Sequence, residues 1–424
     1  MRIAILTAGS TGDVQPYVAL GRGLQLAGHR VRMATFRQYK EFAASRGLDF
    51  APVTDPTTRL ATNPDWLRWQ TSEANPAGYV YYLSRVVRTV NTHLKEMFDD
   101  YWNACQGADV VIGSSASLIG PHIADTLGVP YFWALLQPMG RTRAFPHFLS
   151  PSAVHLGGVL NRMTYIIAER VFWHVFRPSI NRWRRETLGV PPLWQPGPYG
   201  LLGRTDRPVL YGFSPSILSA PSDWRERSHV TGFWFLERTP AWRPPDDLVR
   251  FLSSGPPPIY VGLGRLLVSS TKPLLDLSLR ALARTGHRAL LMLSGSEVTQ
   301  RDLPAWAFRI DATPHDWLFP QVAAVVHHGG VGTVAAACQA GVPSVGVPVF
   351  FDQSFWSRRI AALGIGSPPI PRAKLSLPRL SDAITLVTED RGIRARAARL
   401  GSRIRAENGV ERAVAHVNRY LAVF

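Results

Sequence analysis

The stretch AAVVHHGGVGTVAAACQAGVPSVGVPVFFDQSFW, from Ala323 to Trp356, carries the reading of this chain. A buried strand, AAVVH, runs into a turn of His327, His328, Gly329, Gly330, Val331, Gly332 and Thr333. A small-residue helix, TVAAACQA, follows, and a second strand, PSVGVPV, ends just before Asp352 and Gln353. Strand, turn, helix, strand is the unit from which parallel sheets with crossover helices are built. The glycines let backbone amides approach a ligand, and a helix N-terminus adds unpaired N–H donors and the positive end of its dipole. Such a turn is an anion site suited to a diphosphate, where His328 can donate a hydrogen bond and Thr333 can supply a hydroxyl. An Asp-Gln pair beyond the next strand offers the acceptors and donors that sugar hydroxyls need. Taken alone, a glycine-rich strand-to-helix turn is also a device for tight packing.

Outward from this stretch the alternation continues. Apolar runs recur at Ile3 to Leu6, Val31 to Ala34, Val110 to Ile112, Tyr131 to Ala134, Ile259 to Val261, Ala289 to Leu293 and Ser344 to Val347, with helical patterns between them. They fall into two series separated by a Pro-, Trp- and charge-rich stretch from Ser214 to Pro258, which reads as the interdomain linker. The length of 424 residues agrees, because a single core stops growing near roughly 250–300 residues. The expectation is an α/β protein of two Rossmann-like parallel-sheet domains, 1–236 and 237–400, with a ligand cleft at the carboxyl edges of the sheets. A helical segment, 401–424, is expected to pack back toward the first domain.

Composition narrows the function. Hydrophobic residues at 46% and charged residues at 18% describe a folded globular chain. Two cysteines give neither a disulfide framework nor a Cys-rich metal pattern, and no HExxH or ligand-spaced carboxylate pair is present. No metal is expected. The N-terminal apolar run is too short for a signal peptide, and Arg162, Glu169 and Arg170 interrupt the apolar stretch between Ala153 and Phe176. A cytoplasmic protein is expected, either free or peripheral on the inner membrane face. The net charge of +17 suits an anionic ligand, a nucleic acid or an anionic membrane. Nucleic acid is disfavoured, since no helix-turn-helix, zinc-finger or RNP-type pattern occurs.

Near the N-terminus, TAGSTGDVQPYVALGRGLQLAGHRV (7–31) places Gly9, Ser10, Thr11, Gly12 and Asp13 in a turn at the carboxyl end of the first strand. Asp13 reads either as a helix cap at the dipole's positive end or as a general base. Ser10 and Thr11 either assist an acceptor or satisfy turn amides, and His29 ends the helix. The segment 141–186 carries eight arginines against two glutamates. Within it Leu160, Met163, Ile167, Val171 and Val175, with Phe172 and Trp173, form a broad apolar stripe at helical spacing. That stripe is either packed on its own domain or is a lid over an apolar acceptor, resting on anionic lipid headgroups.

HHGGVGT followed by AGVPSVGVPVFFDQSFW resembles the donor-binding signature of nucleotide-sugar glycosyltransferases of the GT-B fold, especially the bacterial natural-product and sterol-glucosyltransferase branch. The resemblance extends over nearly the whole chain. It implies that His328, Gly330, Gly332 and Thr333 hold the donor diphosphate and that Asp352 and Gln353 hold the donor sugar. ATPHDWLFPQ (312–321) resembles the loop whose backbone reads the base, which implies Ala312, Thr313 and Pro314 near it. Trp317 there is a stacking residue or a core anchor. VGLGRLLVSS (261–270) departs from the family's Gly-Ser-Met type turn: Arg265 either neutralises phosphate or points to solvent. Phe351 stands where a glycine is usual and adds bulk beside the sugar site. The Gly9–Asp13 segment resembles the family turn whose Asp is the proposed base, with Thr11 in place of the usual Arg. Together these imply inverting, metal-independent transfer from a UDP- or dTDP-sugar to a hydroxyl of a lipophilic acceptor, a secondary metabolite, sterol or glycolipid. Asp13 would be the base, Ser10, Thr11, Phe172 and Trp173 would lie on the acceptor side, and no cofactor beyond the co-substrate is needed. One rival reading is a non-catalytic homologue that binds nucleotide or a partner. The other, a nicotinamide oxidoreductase, is opposed because neither glycine turn is a GxGxxG followed by an acidic residue about 20 positions on.

Overall fold

The computed structural model describes residues 1–57, 63–65, 68, 76–150, 156–194, 197–202, 206–239, 241–263, 271–293, 298–349 and 352–423. The chain divides into two compact units, Met1–Leu236 with Asn408–Phe424, and Glu237–Glu407.

The first unit is built on strands β1 (Arg2–Leu6), β2 (Arg30–Phe36), β3 (Asp49–Val53), β4 (Val110–Gly113), β5 (Tyr131–Leu135), β6 (Val209–Tyr211) and β7 (Ser228–Val230). All are parallel, in the order β3-β2-β1-β4-β5-β6-β7. Ile3, Ala4, Ile5 and Leu6 are buried, as are Val110, Val111 and Ile112. Strands covered by helices on both faces need apolar residues pointing both ways. Helix Thr11–Leu26 follows β1 and buries Val14, Tyr17, Val18, Leu20 and Leu24. Helix Gly409–Leu421 returns onto it. A Cβ on Gly23 would lie 2.4 Å from Val410 Cγ1, so only glycine lets the two helices meet there. His29 Nε2 lies 2.7 Å from Asn418 Oδ1, so His29 ends its helix as an anchor.

The second unit holds β8 (Ile259–Gly262), β9 (Ala289–Met292), β10 (Ala307–Ile310), β11 (Ala324–His327) and β12 (Ser344–Gly346), parallel and ordered β10-β9-β8-β11-β12. Period-2 alternation splits its core across the sheet. Ile259, Val261, Ala289, Leu291, Ala324 and Val326 pack with Leu282, Leu380 and Ile384. Tyr260, Leu290 and Val325 face the other way, onto Leu248, Leu318, Phe319 and Ala337.

The α/β class with two parallel sheets is as expected. Two details differ from the sequence reading. The stretch from Ser214 to Pro258 is not a linker throughout, since it contributes β7 to the first sheet and forms helix Asp246–Ser253. In addition, β3, β6, β7 and β10 were not anticipated. Three of them are sheet edges, unpaired on one side among the described residues, where a proline such as Pro52 in β3 is tolerated.

Candidate functional site

Open parallel sheets bind ligands at the carboxyl ends of their strands, where the strand order reverses. In the second unit that place is the junction of β8 and β11, with His327 opposite Gly262 in register. His328 leaves β11 there. Gly329 follows with φ +88°, and a Cβ on it would lie 2.4 Å from Ser357 Oγ and 2.7 Å from the Gln353 carbonyl oxygen. Gly330 is the N-cap of helix Val331–Ala340, with no side-chain cap. The Val334 amide already bonds the Gly330 carbonyl at 3.0 Å. The amides of Val331, Gly332 and Thr333 therefore head the helix without an intrahelical acceptor, at the positive end of its dipole. A Cβ on Gly330 would lie 2.5 Å from His328 Nε2, so the imidazole lies across the backbone of the turn.

Burial holds the His328 imidazole below the usual histidine range, with the Gly262 backbone opposing the shift. Near pH 7 it is neutral and donates without carrying charge. Two histidines that the sequence reading passed over flank it. His327 is fully buried, and its Nδ1 accepts the Gly329 N–H at 2.9 Å, which puts its own proton on Nε2. Burial, then the proximity of His328 and His315, pushes its pKa down to about 3. His315 opens the short helix His315–Leu318, and burial with His328 nearby pushes it down to about 4. Its Nε2 is 3.5 Å from Tyr260 Oη. Adjacency to His328 was the one sequence signal for His327, and spacing gave none for His315.

The Asp-Gln pair comes to the same turn. Asp352 is the N-cap of helix Gln353–Ala362, and its Oδ2 accepts from Trp356 Nε1 at 3.1 Å. Gln353 is buried, with Oε1 accepting the Val349 N–H at 2.9 Å, so its side chain shapes the loop while its backbone carbonyl borders Gly329. Ala312, Thr313 and Pro314 link β10 to the His315–Leu318 helix, and Thr313 Oγ1 donates to the Asp311 carbonyl at 3.1 Å. Trp317 meets Trp242 edge-on at 5.3 Å between centroids and packs on the core around Tyr260 and Phe319, as an anchor does. Arg265 and Phe351 lie outside the described residues.

In the first unit the order reverses between β1 and β4, and Asp13 sits just beyond β1. The helix begins at Thr11, so Asp13 belongs to its first turn rather than to the loop. Ser10 is the N-cap, and its N–H and Oγ–H both donate to Asp13 Oδ2, each at 2.8 Å, in a capping box. Gly9, at φ +131°, makes room for that carboxylate, since a Cβ on it would lie 2.6 Å from Oδ2. Among the described residues no hydrogen bond falls on Oδ1. Burial raises the Asp13 pKa above the ordinary carboxylate value while the two Ser10 bonds lower it, and burial wins. Asp13 is thus a cap through one oxygen and a carboxylate disposed to take up a proton. Ser10 and Thr11 are exposed, with Ser10 engaged by Asp13.

Trp173 is buried, donates from Nε1 to the Trp194 carbonyl at 3.0 Å and packs under Gly197. Phe172 is half-buried and meets Phe176 and Tyr199. The crevice beside these rings offers about 10 Å³, hardly one water. A cavity of about 270 Å³ elsewhere in this unit, against Gly140, Tyr211 and Trp224, includes none of the residues above.

The family model of the glycosyltransferase family 28 N-terminal domain matches residues 3–146. That of the erythromycin biosynthesis protein CIII-like C-terminal domain matches residues 278–417. A sterol 3-beta-glucosyltransferase of Sclerotinia sclerotiorum is 35% identical over 431 residues, covering 99% of this chain and 29% of that protein. The chain spans less than a third of the length of such curated relatives. The crystal structure of the glycosyltransferase of kitacinnamycin matches with a TM-score of 0.71 at 19% identity, covering 99% of this chain and 98% of that one. That of glycosyltransferase VinC in complex with dTDP matches at 0.67 and 22% identity, covering 99% of each. The chain is related in sequence to the fungal sterol glucosyltransferases and to the two glycosyltransferase domain families above, and it shares the GT-B fold of the bacterial natural-product glycosyltransferases.

Proposed function

We propose that the chain catalyses inverting transfer of a sugar from a UDP- or dTDP-sugar to a hydroxyl of a lipophilic acceptor, without a metal. The observation that carries this reading is that each unit has a switch-point turn built for one half of the reaction. One heads a helix whose first three amides have no intrahelical acceptor, beside a neutral histidine, and the other holds a carboxylate of raised pKa. The second unit would bind the donor. The amides of Val331, Gly332 and Thr333, the glycine turn and His328 take the diphosphate, Asp352 and Gln353 the sugar, and the Ala312–Pro314 backbone the base. The first unit would supply the base. Asp13 accepts the proton of the acceptor hydroxyl as its oxygen forms a bond to the anomeric carbon. The bond from that carbon to the diphosphate oxygen breaks, and the nucleoside diphosphate leaves with the electron pair. Fixed amide dipoles meet the charge that develops on the leaving oxygen. The dTDP held by the structural relative VinC and the sterol acceptor in the name of the fungal relatives support the two substrate classes. Phe172 is the half-buried ring left to an acceptor-side role.

The test is a thermal-shift and donor-hydrolysis screen over UDP- and dTDP-sugars, with and without EDTA. It is followed by transfer to sterol and polyketide alcohols, with product anomer read by NMR. A shift with one nucleotide class, EDTA-insensitive transfer and an inverted product are expected. No shift and no hydrolysis with any nucleotide sugar would sink the reading.

A further inference from the structure

Helix Gly158–Glu186 turns toward the core a face that includes Asn161, Tyr165, Trp173, Ile180 and Trp183. At about 100° per residue the opposite face carries Val159, Leu160, Met163, Ile167 and Val171. These are 67, 52, 46, 57 and 56% exposed. Of the stripe that periodicity found, Leu160, Met163, Ile167 and Val171 therefore face outward, while Trp173 turns to the core. The exposed charged residues of the same helix are Arg162, Arg170, Arg182 and Arg185, with Glu186 at its end as the one exposed acid. Its other acid, Glu169, is half-buried and taken up by Arg141 Nε at 2.9 Å. A row of large aliphatic side chains in water is unfavourable unless something covers it, and such patches mark interaction surfaces.

We propose that this face of helix Gly158–Glu186 docks the protein on an anionic lipid surface, aliphatic side chains in the acyl boundary and arginines at the headgroup phosphates. Basic residues flanking an exposed apolar strip are what an interfacial helix requires. A second copy seated on the same strip would set Arg170, Arg182 and Arg185 against like charges, whereas anionic headgroups neutralise them. The net charge of +17 acts in the same direction. No helix among the described residues is long and apolar enough to cross a membrane, so the contact is peripheral. The inference goes beyond glycosyl transfer and does not rest on it.

The full chain is sedimented with vesicles of phosphatidylcholine alone and of an equimolar mixture with phosphatidylglycerol, at low and high salt. Binding to the mixed vesicles that weakens with salt is expected, with little on phosphatidylcholine alone. Each arginine near an anionic surface contributes roughly fivefold in partitioning, so Arg170→Gln with Arg182→Gln should lower it by about 25-fold. Ile167→Ser with Val171→Ser should lower it as well. These positions are exposed, so melting temperature and the nucleotide-induced thermal shift should stay as in the parent, which separates loss of docking from any failure at the nucleotide site. Three results would overturn the proposal: no sedimentation with the mixed vesicles, binding indifferent to lipid charge and to the arginine changes, or a dimer that the Ile167/Val171 variant dissolves while lipid binding is unchanged.

Discussion

Replacing Asp13 by Asn separates a base from a helix cap. The side chain makes its two bonds through Oδ2, to Ser10 N–H and Oγ–H at 2.8 Å. An amide oxygen can accept both. Bonds to a charged acceptor contribute about 1.5–3 kcal/mol against about 0.5–1.5 for neutral pairs, so neutralisation weakens each by roughly 1 kcal/mol. Burial opposes that loss, and the direction of the pKa shift shows which is larger. The folded-state pKa is raised, so the folded protein favours the uncharged form. The sign follows by linkage: Asp13's contribution to stability is full below its unfolded pKa and is lost as pH rises through the folded value. At neutral pH the Asn variant should therefore melt no lower than the parent. Its transfer rate should fall by roughly 10²- to 10⁴-fold, the usual worth of a general base. Parent turnover should also decline as pH drops through the raised Asp13 pKa, and the variant should lose that limb. The assay is product formation over pH with melting curves on the same samples. Near-parental turnover in a folded Asn variant would leave Asp13 a cap and send the search for the base elsewhere.

His328→Ala should weaken nucleoside diphosphate binding by roughly 10- to 100-fold, since it removes one hydrogen bond to a charged group; calorimetry showing unchanged affinity would take His328 out of the diphosphate site. Gly329→Ala must hold a side chain at φ +88° and within 2.7 Å of the Gln353 carbonyl. The backbone term alone costs about 1–2 kcal/mol, so melting temperature and nucleotide affinity should fall together, and parental values for both would show that the turn relaxes freely. His327 and His315 titrate at about 3 and about 4 when folded. Their shared contribution to stability is present above the unfolded value of about 6.5 and is lost as pH falls from there toward the folded values. His315→Gln should flatten the acid decline of the melting temperature, and an unchanged slope would refute the assignment.

The sequence by itself determined what short windows can encode. Runs such as Ile3 to Leu6 and Ala324 to Val326 are apolar at every position because both faces of a parallel strand are covered. Gly329 beside His328 marks a turn because glycine is the residue that fits where the chain turns at positive φ. Those local constraints were enough to find the central strands of both sheets and the two turns, and with the family resemblance they single out Asp13, His328, Asp352 and Gln353 as candidates. Tertiary structure alone decided pairing and burial. Whether Asp49–Val53, Ser228–Val230 and Ala307–Ile310 join a sheet depends on neighbours distant in sequence. So does the tuning of His327 and His315, which are ordinary histidines until the fold removes water from them. Periodicity found the stripe on helix Gly158–Glu186 but not its direction, because a helix with Tyr165, Trp173 and Trp183 on one side and Met163, Ile167 and Val171 on the other has two apolar faces. Only the packing of the rest of the unit determines which of them meets the core.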